Sequence, residues 1–289
     1  MDLSKLIPSK NYNEFVATFR RMPMADEGEK PWSYWGWLQF IHTVCEYHPE
    51  LDLPRYQYLT QLLSGADPGP IPQLKVGRPN SDAYNNISDC LIHIAKTGKS
   101  YWESFRLFID FLLYGYGIGD VVGEPPEPPK LSDEVQEALY RTFNLEPWLK
   151  HPYDYLGKFI CENRGGGKGW NPLAFFPTPH PVCEMMVQFQ MADTKGKDSR
   201  FMTVQDPCCG TGRMLMHASN ISLYLYGVDL DPMMYKITKL NGALYAPWIV
   251  WPIPASDRMY PNILHGDTLR NKVYAPKVML ENNPEGHMF

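Results

Sequence analysis

Apolar residues in the first half of the chain recur at helical spacing. Between Ser100 and Gly117, Trp102, Phe105, Ile109, Leu112, Leu113 and Tyr116 fall on one face, and Ser100 is placed to cap the helix. The stretch 31–47, PWSYWGWLQFIHTVCEY, predicts a second helix rich in large aromatics. Ser132 is set to cap a third, which carries Val135, Leu139 and Phe143 at i, i+4 and i+8. The pattern from Pro152 to Glu162 is helical again. Aromatics spaced in this way fill a core rather than stack on a ligand.

The pattern changes near residue 200. Residues 201–205 (FMTVQ) and 223–230 (LYLYGVDL) read as strands, with helices at 213–219 and from Pro232 to Tyr245. Ile237, Leu240 and Leu244 form the inner face of the latter. Residues 262–267 and 276–282 suggest two more strands. Strands alternating with helices predict a parallel α/β sheet, which binds ligands at the carboxyl ends of its strands. The proline-dense GEPPEPPKLSD at 123–133 suits a stiff linker. The expected organisation is a mainly helical, aromatic-rich region over 1–124, a Pro-rich linker over 125–131, and helices plus the sheet over 132–289.

Composition narrows the setting. At 44% hydrophobic and 20% charged, the 289 residues suit a soluble globular protein. No apolar stretch is long enough to cross a bilayer, and the opening MDLSKLIPSKNYNEF lacks the apolar segment of a secretory signal. The six cysteines show neither a CxxC pair nor a disulfide framework, so reduced thiols in the cytoplasm are expected. A net charge of −5 gives no general nucleic-acid footprint, which leaves phosphate contacts to a local basic surface or a partner.

The candidate chemistry centres on QDPCCGTGRML, residues 205–215. A strand ending at Asp206 runs through Gly210 and Gly212 into a helix, so the backbone can approach a ligand closely and offer it free N–H groups. Asp206 suits a ligand ammonium. Asp229, which ends the second strand about twenty residues on, is placed to hold the two hydroxyls of a ribose. These features suit an adenosine-containing cofactor. A dinucleotide fingerprint fails, because Gly210-Thr211-Gly212 is followed by Arg213, Met214 and Leu215. Adjacent Cys208 and Cys209 rarely share one tetrahedral metal ion. The GGGKG at 165–169 lacks both the Lys-Ser/Thr ending and the preceding strand of a phosphate-binding loop, and reads as a mobile loop.

DPCCGTGRML resembles the Asp-Pro-x-x-Gly-Thr/Ser-Gly motif of the N-6 DNA methylase family, S-adenosylmethionine-dependent enzymes that include type I restriction-modification methylase subunits. Three further segments are similar in order: FFPTPHPVCEMMV, GVDLDPMMYKITKLNGALYA and HGDTL. The resemblance covers roughly residues 150–284 and implies an α/β fold. This would be a Rossmann-like class I methyltransferase domain with a truncated sheet, preceded by the helical region. It implies S-adenosyl-L-methionine as cofactor, contacted by Phe176, Thr178, Asp206, Cys208, Gly210, Gly212, Asp229 and Asp267. Two of these, and Asp231 beside them, have local alternatives. Thr178 before Pro179 and Asp231 before Pro232 also suit helix caps, which favours Asp229 for the ribose, and Asp267 suits a local turn.

The resemblance further implies that Asn283 and the carbonyl of Pro284 accept hydrogen bonds from the target adenine amine. The family motif continues with Pro-Phe/Tyr, whose ring stacks on the flipped base. Here Glu285-Gly286 follows, and the sequence leaves open whether Phe289 replaces the ring. Two functions are therefore expected in competition. One is an adenine-N6 DNA methyltransferase-type protein that binds DNA weakly alone and needs a second methyltransferase or specificity subunit. The other is a catalytically inactive relative acting by cofactor or protein binding, such as a phage or mobile-element factor affecting DNA modification.

Overall fold

A computed structural model of the chain describes residues 30–46, 53–119, 126–163, 176–191, 198–251 and 262–275. Gly36 decides how the first aromatic stretch folds. Its φ of 84° lies in the left-handed region, which ordinary residues avoid. The single helix expected over 31–47 is therefore two pieces: a 3-10 turn, Pro31–Ser33, and helix α1, Trp37–Cys45.

Among the described residues seven more helices precede the sheet: α2 Arg55–Leu63, α3 Ser81–Ala95, α4 Tyr101–Gly115, α5 Asp133–Thr142, α6 Glu146–Lys150, α7 Tyr155–Glu162 and α8 His180–Met191. Their starts follow local chemistry. The Asn80 side chain accepts the N–H groups of Asp82 and Ala83, Ser100 accepts that of Glu103, and Ser132 accepts that of Val135. The helix expected from Pro152 begins only at Tyr155, because Asp154 caps it by accepting the Gly157 N–H. Phe105, Ile109 and Leu139 are fully buried, and Trp32, Trp37 and Trp148 join them, so these aromatics are core.

Among the described residues the sheet has four strands in sequence order: β1 Thr203–Asp206, β2 Tyr224–Asp229, β3 Ile263–Asp267 and β4 Lys272–Ala275. Helix α9, Arg213–Ala218, connects β1 to β2, and α10, Pro232–Tyr245, lies between β2 and β3. Both pairings are parallel, whereas β4 returns antiparallel to β3. Strand, helix and parallel neighbouring strand, twice in succession, make one half of a Rossmann-like α/β sheet. The first strand starts later than expected, because Ser199–Phe201 forms a 3-10 turn ahead of it. The strand expected at 276–282 and the loop at 165–169 lie outside the described residues.

One continuous hydrophobic core runs from Trp32 through Trp148 to Ile263, so the helices and the sheet pack as a unit. Arg55 stitches the two together. Buried at the start of α2, it donates to Ser219, Asn220 and the Tyr245 carbonyl of the sheet half. No helix among the described residues is long and apolar enough to cross a membrane.

Candidate functional site

Parallel pairing sets Asp206 of β1 beside Gly227 of β2, so both strands end at the same edge of the sheet. The chain then turns over that edge through Gly210, at φ 55°, and Gly212, at φ 81°. At Gly212 a Cβ atom would meet the Thr238 methyl at 3.0 Å, so glycine also lets the turn lie close on α10. Thr238 donates its hydroxyl to the Gly210 carbonyl at 2.7 Å, and the Cys209 N–H reaches the Val228 carbonyl at 2.9 Å. The turn is thus pinned on both sides.

Asp229 faces the turn. One carboxylate oxygen accepts the Gly210 N–H at 2.7 Å and the other accepts the Asp231 N–H at 2.8 Å. A carboxylate offers about four acceptor positions, so both oxygens retain capacity for a ligand's hydroxyls. Asp206 accepts the Cys208 N–H at 3.1 Å. Burial raises the carboxyls of both Asp206 and Asp229 above the ordinary aspartate value, and neighbouring acids push Asp229 the same way. Burial and the same two acids also raise the Cys208 thiol, which therefore stays protonated.

A cavity of about 240 Å3 opens at this edge. Phe176, Thr178, Asp206, Cys208, Gly210 and Asp229 all line it, so six residues expected to serve one ligand do meet. Gly212 supports the turn from behind. Asp231 also lines the cavity, but its side chain caps α10 by accepting the Met233 N–H at 2.7 Å. Asp267 is not among the lining residues: it closes its own turn by accepting the Arg270 N–H at 3.1 Å, while its neighbour Thr268 donates to the Pro207 carbonyl at 2.7 Å. Thr178 lies outside α8, whose first turn is received by the Pro179 carbonyl. Asn283 and Pro284 lie outside the described residues.

The lining sets the chemistry. Three carboxylates line the wall, Asp206, Asp229 and the capping Asp231, while the one arginine there, Arg213, is committed to a buried aspartate, Asp154, at 2.7 Å. Such a wall favours a ligand carrying ammonium or hydroxyl groups and disfavours one carrying several phosphates. Among the described residues no group of three or more His, Cys, Asp or Glu is arranged to hold a metal ion. Sequence reasoning missed Asp154. Three of its four partners lie 57 to 87 positions away, and the helical pattern expected from Pro152 placed it inside that helix.

Residues 149–279 match the sequence model of the family described as N-6 DNA Methylase. A curated relative, the type I restriction enzyme MjaIX methylase subunit of Methanocaldococcus jannaschii, is 23% identical, with 58% of this chain and 36% of that protein covered. The crystal structure of a type I restriction-modification system methyltransferase subunit from Streptococcus thermophilus covers 93% of this chain and 56% of its own, at 15% identity and a TM-score of 0.32. The chain thus spans about a third of the length of the curated relative. The match falls on the segment that carries the glycine turn, Asp229 and the cavity, and over residues 149–279 the chain is similar to the N-6 DNA methylases.

Proposed function

We propose that this chain binds S-adenosyl-L-methionine in the cavity at the carboxyl ends of β1 and β2, as part of an adenine-N6 DNA methyltransferase. The observation that carries the reading is the meeting of Asp206, Asp229 and the Gly210 turn around one acidic cavity. Asp229 would hold the ribose hydroxyls, Asp206 would face the ammonium, and Phe176 and Thr178 would close the opposite wall. S-adenosylmethionine carries an ammonium, a sulfonium and two ribose hydroxyls, and no phosphate, which fits that wall. Once bound, it would supply an electrophilic methyl group.

DNA and a second subunit enter as partners of the proposed activity. The methylase relatives are named as subunits. A net charge of −5 also leaves much of the phosphate contact to another polypeptide. Free cysteines suit the cytoplasm as the setting. A second reading, cofactor binding without methyl transfer, is favoured by Glu285-Gly286 standing where the family has Pro and an aromatic ring.

The test is Asp229→Ala. Removing the ribose acceptor should cost about 1.5–3 kcal/mol of S-adenosylmethionine affinity, the usual range for hydrogen bonds to a charged group. Calorimetric titration of both proteins measures this. Equal affinities would remove Asp229 from the ribose role.

A further inference from the structure

Asp154 has no exposed surface and does not line the cavity, yet its carboxylate is filled by four donors. One oxygen accepts the Thr211 hydroxyl at 2.6 Å and Arg213 Nε at 2.7 Å. The other accepts the Gly157 N–H at 2.8 Å and the Asn241 amide at 2.9 Å. All four acceptor positions of a carboxylate are therefore in use. Burial alone would raise this carboxyl, but Arg213 beside it and the donors from Thr211 and Asn241 outweigh burial and hold it below the ordinary value.

Each partner belongs to a different part of the cavity frame. Thr211 is the middle residue of the glycine turn. Arg213 opens α9 and passes a second bond, 3.1 Å, to the carbonyl of Thr178, which also lines the cavity. Asn241 of α10 also donates to the Thr211 carbonyl at 2.8 Å. Gly157 completes the fit from α7, for a Cβ there would lie 2.1 Å from the carboxylate. No neutral side chain reproduces this pattern, since four donors converge and an amide offers one acceptor oxygen.

We propose that Asp154 is a positioning residue for the cavity, holding Thr211 and Arg213 so that the glycine turn and the Thr178 wall keep a fixed separation. The role rests on the cavity being a cofactor site, but order in the turn is measured without any ligand. Two buried thiols report it. Cys209 sits in the turn beneath Thr238, whereas Cys90 is buried in α3, far from the turn in sequence. Local loosening exposes Cys209 alone; general unfolding exposes both.

The experiment is alkylation of the folded full-length chain with iodoacetamide, resolved by mass spectrometry, in wild type, Asp154→Asn, Thr211→Val and Thr211→Ser. S-adenosylmethionine affinity is measured in parallel. In Asp154→Asn and Thr211→Val, Cys209 should label at least about tenfold faster with Cys90 unchanged, and affinity should fall by about tenfold or more. Thr211→Ser keeps the hydroxyl and should restore protection. Should Asp154→Asn not fold, Thr211→Val decides, because it removes one donor and leaves the Asp154–Arg213 pair intact. Wild-type protection of Cys209 in Thr211→Val, or a parallel rise at Cys90, would overturn the proposal. A wild-type chain that binds no S-adenosylmethionine while Cys209 still responds would sink the cofactor reading and leave the positioning role standing.

Discussion

Replacing Arg55 by alanine should destabilise the chain by about 3–5 kcal/mol, because several buried acceptors lose their donor together. Nε donates to the Pro72 carbonyl at 3.0 Å, and one terminal nitrogen serves Ser219 at 2.6 Å and the Tyr245 carbonyl at 2.8 Å. The other serves Asn220, and the guanidinium lies 4.9 Å from the centre of the Trp248 ring. These partners sit in the loop after α2, the end of α9 and the end of α10. The substitution therefore loosens the joint between the helical region and the sheet. Burial lowers the guanidinium pKa to about 9, so it remains charged at neutral pH, and its acceptors compensate that cost. Urea unfolding of Arg55→Ala beside Arg55→Lys measures the effect. Lysine keeps the charge but lacks the planar fork, so it should recover less than half of the loss. A loss below about 1 kcal/mol in the alanine variant would mean that water replaces the guanidinium at little cost.

The second large effect is loss of stability on mild acidification. Burial lowers His42 to about 3 and, with help from Arg213, lowers His180 to about 4; burial lowers His217 as well. An unfolded histidine titrates near 6.5. As pH falls from about 6.5 to 5, the unfolded chain takes up protons that the folded chain refuses, costing roughly 2 kcal/mol for each of His42 and His180, with His217 acting in the same direction. Glu46 acts in the opposite sense. Burial raises it to about 7, so its contribution is present below the ordinary glutamate value and fades as pH rises through 7. It offsets about one histidine in the same window. The net expectation is a loss of stability between pH 7 and pH 5, smaller than the histidines alone would give because Glu46 and the raised Asp206 and Asp229 act the other way. Denaturant midpoints at pH 7, 6 and 5 check it, and a flat or rising series would contradict buried neutral histidines.

Local sequence carried much of this fold. Pro232–Tyr245 was legible because Ile237, Leu240 and Leu244 repeat at helical spacing behind an Asp-Pro start. The glycine turn was legible because a strand, Gly210, Gly212 and a helix follow in order. Helix α3 was legible in principle: Asn80 caps it, and Ala83, Ile87, Cys90, Leu91 and Ile94 make its buried face. The break in the first aromatic stretch was not, because Gly36 inside a helical pattern reads as a tolerated residue. Strand β4 was hidden as well. It follows a tight turn in which Asn271, not glycine, adopts positive φ, a weak signal in sequence. Asp154 shows the limit most clearly. Its importance lies in four donors brought together by tertiary packing, and no local pattern encodes such convergence.

The central claim is that the acidic cavity takes S-adenosyl-L-methionine. The measurement that tests it most directly is calorimetric titration of the wild-type chain with S-adenosylmethionine, S-adenosylhomocysteine and NAD in turn. The account predicts that the first two bind with about one site per chain, and that NAD, whose pyrophosphate would enter a cavity lined by three aspartates with its arginine committed to Asp154, binds far more weakly or not at all. Binding of NAD with neither methionine derivative, or no binding of any of the three, would contradict it.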